Sequence, residues 1–124
     1  MAETTPKVFD GTKILPTIKD LLGIPQDIDT FDNSLLISIN GSFGTLNQLG
    51  VGPSSGFLVK DSETLWSDFS VDPMINQLAK PFVYLNTRLQ FDPPANSFLV
   101  TSINDQIKEL TFRLLAQGNG AFNE

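Results

Sequence analysis

Three glycines and two serines crowd into "LGVGPSSGF", from Leu49 to Phe57. Loops of this composition can cradle phosphate, because backbone N–H groups reach an anion where no side chain intervenes. The chemistry needs a context that is missing here. A dinucleotide fingerprint requires a strand, then G-x-G-x-x-G, then a helix. Here Gly50, Gly52 and Gly56 are spaced G-x-G-x-x-x-G and follow a helical pattern. The phosphate loop of nucleotide triphosphatases ends in Gly-Lys-Ser/Thr, and the chain has no such triplet. The plainer reading makes Gly50 a left-handed helix C-cap and Gly52-Pro53 the start of a turn.

The carboxylates are the second source of chemistry. Asp27, Asp29 and Asp32 in "DIDTFD" are oxygen ligands of the kind a divalent cation takes. The stretch lacks the glycine and the terminal glutamate of an EF-hand loop, so helix capping explains these residues better. Asp61, Glu63, Asp68 and Asp72 offer acid–base pairs, yet nothing in the sequence gathers two of them into a pocket. Trp66 and Tyr84 could stack on bases, but their apolar neighbours favour packing. The chain has no histidine and no cysteine. That removes the commonest general base, the usual transition-metal ligands and thiol catalysis. No catalytic residue, cofactor site or metal site is expected.

The elements that would carry these residues read as helices. In "TKILPTIKDLLG", Ile14, Leu15, Ile18, Leu21 and Leu22 share a face, and Gly23 with Pro25 stops the helix. Pro16 is tolerable near its start. A second stripe runs Phe31, Leu35, Ile39, Phe43, Leu46 and Leu49, with Asp29 or Thr30 as cap. Gly41 and Gly44 lie inside this helix, each costing about 1 kcal/mol relative to Ala. Close approach of another helix or subunit would compensate. Residues 51–61 break the period and read as a surface loop, in which Phe57–Val59 could be extended. "SETLWSDF" reads as one or two helical turns capped by Ser62 or Asp61, docked by Trp66 and Phe69.

Asp72-Pro73 is a strong start signal for the next helix. Its stripe is Ile75, Leu78, Phe82, Leu85 and Leu89, with Pro81 inside it as an expected kink. "FDPPANS" breaks the chain again, and Asn96 or Ser97 caps a last helix on Val100, Ile103, Ile107, Leu110 and Leu114. Gly118 is its stop. The expected fold is all-α: a small helical bundle of about four main helices and one short one, with an irregular loop at 50–61 and flexible termini. The division is an N-terminal extension at 1–11, a helical domain at 12–117 and a C-terminal arm at 118–124.

Composition narrows the function. The 124 residues suit one domain with a modest core. No apolar run approaches the roughly 20 residues of a membrane span, and the N-terminus does not read as a secretory signal. Net charge is −6, whereas proteins that grip nucleic acid are usually basic.

At "TLNQLGVGPSSGF", "ETLWSDF", "VYLNTRLQFDPPANSF" and "INDQIKELTFRL" the chain resembles the head–tail connector, or adaptor, proteins of long-tailed bacteriophages. The resemblance is to the branch common in phages of Gram-positive bacteria and covers roughly residues 12–117. Phe91–Pro94, between two long helices, is its most specific part. Pro81 departs from the pattern, standing where family members usually carry a helix-compatible residue, and the segment before Thr12 is longer than the family body requires.

The resemblance implies a structural virion protein of the neck, made in the host cytoplasm. Such adaptors form a homo-oligomeric ring, typically dodecameric, below the portal. They extend the DNA channel, help retain packaged DNA and dock a stopper or tail-completion protein. DNA passes through without sequence-specific binding, and an acidic channel would let it slide. In that setting Gly118, Asn119, Gly120, Ala121, Phe122, Asn123 and Glu124 are the expected portal-binding arm, adding a strand to a portal sheet with Phe122 as anchor. Val51, Gly52, Pro53, Ser54, Ser55, Gly56 and Phe57 form an expected contact loop for a partner or neighbouring subunit, and Gly41 and Gly44 an expected subunit-packing site. Two other readings stand beside this one. A small phage DNA-binding or packaging-regulatory protein would need a basic recognition helix, and a nucleotide-dependent packaging enzyme would rest on the glycine loop alone.

Overall fold

The computed structural model describes residues 9–118 of the chain. Five helices follow one another: α1 (Ile14–Leu22), α2 (Asp32–Gln48), α3 (Trp66–Phe69), α4 (Pro73–Phe91) and α5 (Ser97–Gly118). Among the described residues the only β-type pairing is an isolated antiparallel bridge between Lys13 and Leu65. The all-α bundle of four main helices and a short one is therefore observed. The termini expected to be flexible lie largely outside the described residues.

Local chemistry sets the helix ends. Gly23 adopts φ +79°, and the N–H groups of Gly23 and Ile24 return to the carbonyls of Asp20 and Lys19 at 3.1 and 2.9 Å. This pairing is a Schellman motif, which satisfies carbonyls left open at a helix C-terminus. Gly50 repeats it after α2: its φ is +82°, Gly50 N–H reaches Asn47 O and Val51 N–H reaches Leu46 O at 2.9 Å. The buried side chains of Val51 and Leu46 accompany that turn. Asp72 caps α4, its Oδ1 accepting from Met74 N–H at 2.9 Å, with Pro73 in the first helical position. Asn96 caps α5 through Phe98 N–H at 2.7 Å.

Two caps differ from expectation. Neither Asp29 nor Thr30 caps α2 with its side chain. Phe31 occupies the N-cap, and the Asp29 backbone carbonyl receives Asp32 N–H at 3.1 Å. Asp32 is instead drawn to Lys19. The segment "SETLWSDF" is helical only over its last four residues. Asp61 Oδ1 holds Glu63 N–H in a turn at 2.9 Å, while the helix start is held by Asp68, whose Oδ2 accepts from Leu65 N–H at 2.9 Å.

Packing is centred on α4. It packs most extensively against α5 and α2, and to a lesser extent against α1 and α3. Leu35, Ile39, Phe43 and Leu46 of α2 meet Ile75, Leu78, Ala79, Phe82 and Val83 of α4 in one buried core with Leu114 of α5. Pro81 does not end α4, and the buried stripe stays in phase from Leu78 to Phe82 across it. Proline lacks an N–H, so the Gln77 carbonyl has no donor four residues on. Phe31 and Leu21, expected in the apolar stripes, are 43% and 45% exposed. Phe31 packs edge-on against Phe91, 5.4 Å between centroids, and so seals the rim of the α2–α4 seam.

Lys19 is buried within this frame. Its ammonium lies 3.0 Å from Asp32 Oδ1 and donates to the carbonyls of Ile28 at 2.6 Å and Gln26 at 3.3 Å. One cation thus fastens the α1–α2 connection to the start of α2. Gln26 returns the tie, its Nε2 donating to Pro16 O at 2.9 Å.

Candidate functional site

The glycine loop is built against the body. Val51 and Val59 are buried at its two ends. Phe57 packs on Phe43 and Phe69, with ring centroids 4.9 and 5.4 Å away. Phe43 and Phe69 are themselves 4.8 Å apart, and Trp66 lies 6.1 Å from Phe43, which makes an aromatic cluster beneath the loop. Gly52 has φ +93°, and a Cβ there would overlap the Phe69 ring. Its glycine therefore serves close approach of an aromatic ring, and its backbone is occupied with packing.

Asn40 of α2 is the other anchor. Its Nδ2 donates to Val59 O at 3.0 Å, and its Oδ1 accepts from Val59 N–H at 2.7 Å. A carboxamide can satisfy both groups of one residue only when that residue is extended, since its N–H and C=O then point to the same edge. Asn47 adds a tie at the loop's other side, donating to Pro53 O at 3.2 Å. Only the tip, Ser54 and Ser55, and the side chain of Leu58 stand clear of these anchors; Leu58 is 65% exposed. The surface loop expected from the sequence is thus pinned to the body, with an exposed tip.

Between the loop and α2 runs an open groove of about 620 Å³, lined by Asn40, Gly44, Asn47, Phe57 and Lys60 among others. Gly44 and Gly41 are exposed, and a Cβ at either would meet nothing within 4 Å. Among the described residues no other helix packs on them, so the intrachain version of the packing expected there is not found. Loop and glycines share one side of the molecule. Gly118 is the last residue of α5, and the rest of the expected arm, Asn119–Glu124, lies outside the described residues.

The remaining candidates have structural partners. Asp27 and Asp29 are exposed and Asp32 pairs with Lys19. Among the described residues no group of three acids, histidines or cysteines converges as a metal site would require. Glu63 pairs with Lys13 at 2.8 Å, and this bond holds the Lys13 ammonium above its ordinary pKa. The Thr12 hydroxyl and N–H bond to Asp10 Oδ1 and hold that carboxyl below the ordinary range. Trp66 is buried, its indole N–H donating to Thr17 Oγ1 at 3.3 Å, and the Lys80 ammonium stands 5.7 Å from its ring centre. Trp66, Tyr84, Leu21 and Pro81 border a second, more apolar groove of about 840 Å³ beside α1 and α4.

Sequence reasoning missed Asn40 and Lys19. A polar residue inside a helix reads as solvent-facing, and their partners lie 19 and 13 positions away. The usable signal was the apolar pair Phe57 and Val59, which had to be buried by something.

Charge is unevenly distributed over these surfaces. From Asn33 to Val59, which takes in α2 after its first residue and the loop, no residue is charged. The flanking segments that carry α1 and α3, Asp10–Asp32 and Lys60–Asp72, hold nine acids against three lysines. Among the described residues no helix is long and apolar enough to cross a membrane.

No match is found among curated proteins or among solved structures. A family model described as "phage connector protein" matches residues 14–121, which is nearly the whole helical body. The chain belongs to that family of structural proteins at the phage head–tail junction.

Proposed function

We propose that the protein is an adaptor that forms a ring, with dodecameric stoichiometry, beneath the portal. There it extends the DNA channel, helps retain the packaged genome and docks a stopper or tail-completion protein. The observation that carries this reading is the family match together with a surface divided by charge. A connector needs faces on which copies meet and a face that DNA passes without adhering. The uncharged α2 side suits the first need, and the acidic segments carrying α1 and α3 suit the second, since like charge repels the phosphate backbone. Residues 118–124, with Phe122 as apolar anchor, are the proposed portal-binding arm. The tip of the 51–57 loop is the proposed partner contact.

Complementation tests this function. Phage lacking the protein should accumulate heads that fill with DNA, lose it and acquire no tails. Adding the purified protein should restore retention and tail attachment. Normal tailed particles in its absence would refute the proposal. A chain ending at Gln117 should lose portal capture in a pull-down, and retained capture would refute the arm.

The DNA-binding alternative finds little support in the helices. The longest, α5, carries Lys108 and Arg113 against Asp105 and Glu109, so it offers no basic stripe for a groove.

A further inference from the structure

We infer that neighbouring copies meet head-to-tail, the uncharged α2 face of one subunit receiving the outer face of α5 from the next. This rests on the ring reading above and adds which surfaces pair.

The first support is electrostatic. Each copy carries −6, so copies packed around a ring repel one another unless the faces that touch are neutral. The α2 face carries no charge of its own from Asn33 to Val59, and the two charged residues at the groove beside Gly44, Lys60 and Asp68, are opposite in sign. Depletion of charge is also the compositional mark of an interface core. The outer face of α5 is neutral by balance, with Asp105 and Glu109 beside Lys108 and Arg113. The acids in excess are concentrated in the segments that carry α1 and α3, which this arrangement leaves free of subunit contact.

The second support is apolar exposure. Phe98 and Phe112 of α5 are 83% and 73% exposed. They lie 14 residues apart, which at 100° per residue returns to nearly the same face, about 21 Å along the helix. The opposite face of α5 buries Ile103 and Leu114 against α4. On α2, Ile37 is 75% exposed and continues at helical spacing into Gly41 and Gly44, where the surface has no side chains. One face presents aromatic knobs and the other a side-chain-free notch at Gly41 and Gly44 beside the exposed Ile37.

The third support is topology. α2 and α5 each pack extensively on α4 and hardly on one another, so the faces they turn away from α4 are different surfaces of one subunit. An interface joining unlike surfaces is heterologous, and repetition closes it into a ring when the rotation permits.

The natural chain has no cysteine, so introduced thiols report without background. Pairs combining Cys at Ile37, Gly41 or Gly44 with Cys at Phe98 or Phe112 are assembled on purified portal and treated with a short bis-maleimide. At least one α2–α5 pair should give a ladder of covalent multimers, and every single-cysteine variant should stay monomeric under denaturing conditions. Self-crosslinking of a single α2 variant would mean a symmetric contact and overturn the pairing. Rings seen by native mass spectrometry without any α2–α5 product would overturn the pairing while leaving the ring intact. Failure of any ring to form would count against the underlying function instead. As a second reading, Phe112→Ser should keep the monomer's melting temperature and raise the concentration needed for assembly roughly tenfold, as loss of a buried aromatic anchor does. Unchanged assembly would contradict the inference.

Discussion

Asn40 holds Val59 by both of its backbone groups, at 2.7 and 3.0 Å, across 19 residues of chain. A side chain on α2 thereby acts as the neighbouring strand that this segment lacks. Around that clamp, Val51, Phe57 and Val59 are drawn onto the aromatic cluster of Phe43, Trp66 and Phe69. The glycine loop keeps its shape because of these ties.

Removing the clamp should loosen the loop. Asn40→Ala leaves the N–H and C=O of Val59 without partners at a part-buried site, and is expected to cost about 1–3 kcal/mol. Asn40→Asp keeps the acceptor for the N–H but sets an anion against the carbonyl, so it should fare no better. Urea unfolding measures both. A midpoint unchanged in Asn40→Ala would mean that the apolar residues alone hold the loop.

The glycines should separate by environment. Gly52→Ala puts a Cβ into the Phe69 ring at positive φ and should destabilise the chain by more than about 1 kcal/mol. Gly44→Ala has open space and helical backbone, so it should stabilise the monomer by up to about 1 kcal/mol. If the notch receives a neighbouring subunit, the same substitution should weaken the ring. Thermal melting read beside assembly on portal distinguishes the two effects. A Gly44→Ala chain that is both more stable and fully competent would show that the notch is unused.

Lys19 offers a test of the α1–α2 connection. Lys19→Met removes the ion pair and both carbonyl contacts while leaving Asp32 partly buried. The expected cost is about 2–4 kcal/mol, below the full range for a buried pair because Asp32 is partly exposed. Adding Asp32→Asn should recover part of it. A double variant no more stable than the single would contradict the pairing.

Pro81 should be replaceable at the level of the fold. Pro81→Ala restores a donor for the Gln77 carbonyl, and an interior proline costs up to about 3 kcal/mol, so the variant should melt higher. A lower melting temperature would mean that the proline ring fills part of the second groove to greater effect than the lost bond.

The parts legible in sequence were those written in local chemistry. Gly23 and Gly50 announced their helix ends because only a residue free of Cβ strain closes the turn at φ near +80°. Asp72-Pro73 and Asn96 announced their helix starts through side chains that reach two residues on. The α2 stripe from Leu35 to Leu46 is buried as its spacing required. What could not be read were bonds across the chain. Lys19 looks like a solvent residue until the loop at 24–31 folds over it, and Asn40 until Val59 arrives. The loop's glycines, serines and proline identified it as irregular, but its apolar residues Val51, Phe57 and Val59 determine where it sits. The faces of α2 and α5 were visible as patterns, but their exposure became apparent only when α4 was seen to occupy the opposite side of each.

The central claim is assembly on the portal, and native mass spectrometry of the full chain mixed with purified portal tests it most directly. The account predicts a portal-bound ring of about twelve copies, the family expectation, whose apparent affinity for naked duplex DNA is negligible, as the net charge requires. A chain that stays monomeric beside portal, or that binds duplex tightly with a steep salt dependence, would contradict it.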